Sequence, residues 1–107
     1  MKFTSALQVL QGDEPTGDTL RIHPNDGFEL GLMAYTYDMK IFNNCSAEDF
    51  NKETGDFFMG KIEQANECPV GTMMVNYRMF KKLNQPESVK LVAMNDKILL
   101  LNIHDKP

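Results

Sequence analysis

The chain has 107 residues, 42% hydrophobic and 24% charged, with a formal net charge of −4. That length supports a single domain, residues 1–107, and is too short for two separate cores; the acid excess argues against a broad nucleic-acid-binding surface, which needs clustered Lys and Arg to displace counterions. The longest apolar run, Ile98–Leu101, falls far short of the ~20 residues of a membrane-spanning helix, and Met1-Lys2-Phe3-Thr4-Ser5 opens no leader-like apolar stretch, so a cytoplasmic protein with no membrane or nucleic-acid partner is expected.

In chain order, Phe3, Ala6, Leu7 and Leu10 recur at helical spacing, and Ser5 with Gln8 fits a capping box. These features predict a short helix over residues 4–11, stopped by Gly12. A polar turn spans 12–18, a strand runs over 18–23, and Pro24-Asn25-Asp26-Gly27 has the composition of a tight turn. A second strand is expected over 28–38, apolar enough on both faces to be central in a sheet or covered by a partner chain. Ser46 and Gly55 bracket a helical turn within 43–56, and a strand follows over 56–62. After a break at 66–71, residues 72–81 alternate as a strand, with Met73, Val75, Tyr77 and Met79 on one face. The clearest local signal comes last: two apolar runs, 89–94 and 97–103, flank Asn95-Asp96 and predict a β-hairpin. The expected fold is α+β, a short N-terminal helix on a mostly antiparallel sheet of five to six strands. Eight methionines suit an irregular core.

No nucleophile elbow, phosphate-binding loop, zinc helix or dinucleotide fingerprint is present. Cys45 and Cys68 are too far apart in sequence for a close metal-binding pair and are expected to be reduced thiols. The two histidines are His23 and His104; neither lies in a motif that marks a catalytic base. A non-catalytic protein with no metal and no cofactor is therefore expected. The arginines carry more information. There are two, Arg21 and Arg78, both inside expected strands, and a guanidinium is a planar fork suited to phosphate or carboxylate. Phe28, Tyr35, Tyr37, Tyr77 and Phe80 are rings near them that suit either stacking on a base or core packing, and Phe28 and Phe80 are expected in the core. The alternative reading of each arginine is a cross-strand ion pair.

The opening Phe3-Thr4-Ser5-Ala6-Leu7-Gln8-Val9-Leu10-Gln11-Gly12 resembles the start of the phage Thoeris anti-defense sponge proteins. Gly71-Thr72-Met73-Met74-Val75-Asn76-Tyr77-Arg78 is similar to that family's G-T-x-x-N-Y-R segment with one residue inserted. The tryptophans that the family carries are absent here. The resemblance implies a small homo-oligomeric protein that sequesters a cyclic nucleotide signal without cleaving it. It implies that Asn76, Tyr77 and Arg78 contact the ligand and that Arg21 holds phosphate. The competing expectation is a small phage or bacterial protein-interaction module that inhibits a host enzyme by direct binding. The two differ in partner, a nucleotide-like small molecule or a host protein.

Overall fold

A computed structural model of the chain describes residues 1–103. Its elements are β1 (Lys2–Phe3), β2 (Leu7–Gly12), β3 (Thr19–Ile22), α1 (Pro24–Glu29), β4 (Thr36–Asn43), α2 (Ala47–Lys52), β5 (Phe57–Gln64), β6 (Thr72–Asn76), α3 (Tyr77–Lys82), β7 (Ser88–Met94) and β8 (Lys97–Ile103). The strands form one sheet in the order β1-β7-β2-β6-β3-β5-β4-β8, and pairing of β7 with β8 closes it into a seven-stranded barrel. Parallel pairs (β2–β6, β3–β5, β4–β8) alternate with antiparallel ones around the ring except at β7, which is antiparallel to both β8 and β2. β1 and β2 run along the same strand, β7, with Thr4 filling the interruption between them. The buried Thr4 donates its amide to the Leu91 carbonyl (2.9 Å), and its hydroxyl accepts from the Leu91 amide (3.1 Å).

Side chains that alternate inward fill the barrel: Leu20 and Ile22 from β3, Met39 and Ile41 from β4, Met73 and Val75 from β6, Val89 and Leu91 from β7, and Ile98 and Leu100 from β8. A second apolar cluster lies between α2 and the outer face of the sheet. There Phe42 and Phe50 meet edge to face at 5.4 Å, with Leu99 beside them. Lys97 is buried on this outer side. Its ammonium donates to the carbonyls of Phe50 (2.6 Å) and Asn51 (3.2 Å) and lies 3.6 Å from Glu53. A cation thus sits on the carbonyls of the last turn of α2, where the helix dipole favours it.

The expected α+β arrangement is overturned by the closed barrel. Residues 4–11 are not a helix: Leu7–Gly12 is a barrel strand, hydrogen-bonded to β6 on one edge and to β7 on the other. A helix of that length is marginal in water, and the ladder to two distant strands outweighs the local capping signal. The expected sheet of five to six strands is replaced by a closed ring; five of the eight pairings are antiparallel, as expected, but three are parallel, and each parallel pair joins segments separated by a crossover, which local alternation does not reveal. The expected strand over 28–38 is divided. Pro24–Glu29 is helical, with Pro24 in the first turn and the His23 imidazole Nδ1 accepting from the Asn25 amide (2.9 Å), and β4 begins only at Thr36. The expected strand over 72–81 ends at Asn76, whose side chain caps α3, so Tyr77 and Arg78 are helical. The strand near 18–23, the Ser46-capped helix and the hairpin turning at Asn95-Asp96 are present.

Replacing Lys97 with Met removes the buried donor and leaves two carbonyls without it. The variant should lose about 1.5–3 kcal/mol of stability, read as a lower urea midpoint at an unchanged slope.

Candidate functional site

Arg21 and Arg78 are both engaged within the chain. Arg21 on β3 has Glu63 of β5 as its register partner, and the two side chains form a cross-strand ion pair. Glu14 lies 3.8 Å away on the same guanidinium. The hydrogen bond to Glu63 is the main reason the Arg21 pKa stands above the ordinary arginine value; burial opposes it, and the charges of Glu63, Glu14 and Glu67 add to it. Arg78 pairs with Asp18 at 2.8 Å, and Lys82 reaches the other oxygen of that carboxylate at 3.1 Å. Asn76 is structural on all sides: its amide nitrogen donates to the carbonyls of Pro15 (2.7 Å) and Gly17 (2.8 Å), while its oxygen caps α3 by accepting from the Met79 amide (2.8 Å). Tyr77 is exposed. Asn76, Tyr77 and Arg78 border one shallow hollow with the 12–17 turn, whereas Arg21 borders another with Glu63 and Glu67. The four residues do not converge on a shared anion site.

Burial is the main cause that raises the pKa of both Cys68 and Cys45, so both stand as neutral thiols at pH 7. Both are free cysteines; Cys68 is fully buried with its sulfur 3.4 Å from the Thr72 hydroxyl. His23 caps α1, and His104 lies outside the described residues. Among the described residues, no group of three or more His, Cys, Asp or Glu side chains is placed to hold a metal ion.

The feature that stands out is apolar. Helix α1 ends in a Schellman motif: the Gly31 amide donates to the Phe28 carbonyl (2.9 Å), the Leu32 amide donates to the Gly27 carbonyl (3.0 Å), and Gly31 has the left-handed φ of +76° that this turn requires. Leu30 and Leu32 are buried by the turn, while Phe28 before them and Met33 and Tyr35 after them face water. Phe28 is 74% exposed, Met33 86% and Tyr35 80%.

These side chains stand on a segment tied down from behind. The Tyr37 hydroxyl oxygen accepts from the amides of Met33 (2.6 Å) and Ala34 (2.8 Å). The buried Gln64 of β5 donates to the Ala34 carbonyl (2.6 Å), and its amide N–H donates to the Tyr35 carbonyl (2.8 Å). Gln64 packs so closely on α1 that a β-carbon at Gly27 would overlap its side-chain oxygen. Phe28, Leu32, Met33 and Tyr35, with Pro24 and Gln64, outline a hollow of about 200 Å³ on the barrel rim, room for one large apolar side chain. Sequence reasoning placed these residues in a strand. The signal that locates them is Pro24 at a helix start and Gly31 just past its end.

Phenylalanine at position 37 removes the acceptor shared by two amides. Exchange of the Met33 and Ala34 amides should then quicken by roughly fivefold to tenfold, measured by hydrogen–deuterium exchange, with amides in β7 and β8 unchanged. In the native protein Cys68 should react with a thiol reagent only as fast as the barrel opens, far more slowly than after denaturation.

Comparison of the chain with protein-family models, curated proteins and solved structures returns no match, so the assignment of these residues rests on their geometry.

Proposed function

We propose that the protein is a non-catalytic binding module whose partner is another protein, docked on the rim segment 28–35. The observation that carries this reading is the pre-ordered display of Phe28, Met33 and Tyr35 in water. Contiguous exposed apolar surface on a folded chain marks an interaction site, and covering each such side chain is worth ~1.5–3 kcal/mol. Aromatic anchors beside a pocket are the usual centre of protein-binding energy. Backbone bonds already hold the segment, which lowers the ordering cost of association.

The reading as a sponge for a cyclic nucleotide has less support. It needs free donors for phosphate, and the cations Arg21 and Arg78 and the amide of Asn76 each have partners within the chain. The proposal includes residence in the cytoplasm, where Cys45 and Cys68 remain reduced. No helix among the described residues is long and apolar enough to cross a membrane.

The test is affinity capture from a lysate of the source cell, comparing the native chain with a Phe28→Ser/Tyr35→Ser variant. Both positions are exposed, so the variant should keep its urea midpoint within about 0.5 kcal/mol of stability. A stoichiometric protein retained by the native chain and lost from the variant is expected. Equal retention by both, or no retained protein, would reject the proposal. A nucleotide released on heating and identified by mass spectrometry, absent from an Arg21→Ala/Arg78→Ala variant, would establish the sponge reading instead.

A further inference from the structure

The charge around the apolar rim is mixed, with Lys2 beside Gly31, but carboxylates are in excess on the side toward β5. Next to the hollow formed by Phe28, Leu32 and Met33 lies a second depression, and Tyr35 and Gln64 border both. Its charged border consists of Arg21, Glu63 and Glu67. The charges that act on the Arg21 guanidinium are those of Glu63, Glu14 and Glu67. At that border one cation faces two carboxylates, which leaves one negative charge in excess. Glu29 follows Phe28 in α1 and is exposed. Arg21 does not offset this field toward an incoming partner, because it is half-buried and bonded to Glu63.

This arrangement discriminates among occupants. An anionic ligand would meet repulsion from Glu63 and Glu67 on the side of the hollow toward β5. A second copy of the chain would bring the same carboxylates to the same patch, and like charges brought together while apolar groups are covered oppose association. A segment with an apolar side chain flanked by lysines or arginines satisfies both features at once. Resting on the protein-binding role proposed above, we infer that the partner presents such a basic segment: its apolar anchor enters the hollow between Phe28, Leu32, Met33 and Tyr35, and its cationic side chains meet Glu63, Glu67 and Glu29. The acidic border gives the docking surface its sign preference, and the apolar hollow gives it most of its affinity.

Two amphipathic peptides test this. They share one apolar face and a single tryptophan; all other positions are lysine in one and glutamate in the other. The chain has no tryptophan, so peptide fluorescence reports binding without background. The lysine peptide should bind more tightly than the glutamate peptide by roughly tenfold or more, with the gap narrowing at high salt as the charges are screened. A Glu29→Lys/Glu67→Lys variant alters two exposed positions and should reverse the preference. Phe28→Ser should weaken both peptides equally.

Equal affinity for the two peptides, or a preference untouched by the charge reversal, overturns the basic-segment inference and leaves the docking surface standing. Peptide binding that Phe28→Ser leaves unchanged removes the docking surface itself. Failure of both peptides to bind overturns the basic-segment inference, while the capture experiment still decides the docking role. A dimer in solution that Phe28→Ser dissociates assigns the patch to a second copy and likewise overturns it.

Discussion

β8 is the strand without which the barrel stays open. It is the partner of β4 on one edge, in parallel, and of β7 on the other, antiparallel, so each of its backbone groups between Lys97 and Leu100 has a neighbour. It is also enclosed on both faces, which is why four consecutive residues, Lys97–Leu100, are buried. Ile98 and Leu100 belong to the barrel interior, whereas Leu99 packs outward against Phe42 and Phe50. Lys97 occupies the remaining outward position. A lysine survives there only because the carbonyls at the end of α2 and the Glu53 carboxylate receive its ammonium; an unpaired charge at that depth would cost several kcal/mol. Closure of the barrel and docking of α2 are therefore one event.

Closure also determines where the rim is. The strands are staggered around the ring, and β4 begins at Thr36, four residues before its first register pair with β8 at Lys40. The segment from α1 to β4 crosses this projecting end. Three devices fix its path: the Schellman turn at Gly31, the Tyr37 hydroxyl on two amides, and Gln64 on the Ala34 carbonyl. Gln64 reaches that carbonyl only because Gly27 has no β-carbon. The buried Asp26 adds a fourth tie, accepting from the Gly71 amide at 2.8 Å and anchoring α1 to the approach of β6. The exposed apolar side chains thus stand on a frame whose polar groups are satisfied internally.

Patterns that depend on near neighbours were legible in the sequence. The Asn95-Asp96 hairpin and the Ser46-capped helix rest on a turn and a cap, whose physics is complete within a few residues. β2 was not legible, since Leu7, Leu10 and the Ser5–Gln8 pair satisfy a helix locally, and the decision lies with residues 72–76 and 88–89 far along the chain. The break between β6 and α3 was hidden for a related reason. Asn76 looks like an ordinary strand residue until its side chain is seen to cap the helix and hold the Pro15 and Gly17 carbonyls together. The arginines were conspicuous by their chemistry, but the carboxylates that engage them, Glu63 and Asp18, are distant in sequence. The expected cross-strand pairing did describe Arg21. For the rim patch, Phe28 and Tyr35 drew notice as rings, yet alternation gave no means of telling that both face water.

Stability and display are separable in this architecture, and that separation bears on how the rim segment is read. The core is filled by side chains from the strands, by Met79 of α3 and its cap Leu83, and by Leu30 and Leu32 of the rim segment, whereas none of Phe28, Met33 or Tyr35 contributes to it. If the segment served only to connect α1 to β4, polar residues would serve equally well and would avoid leaving three large apolar side chains in water. Apolar surface scattered singly over a protein needs no explanation. Here the three most exposed large apolar side chains among the described residues stand on one short stretch, and the same stretch is held by side-chain bonds from Tyr37 and Gln64 that a flexible connection would not require. Rigidity behind the backbone together with apolar surface in front of it fits a surface arranged for contact with a partner better than it fits a connecting loop.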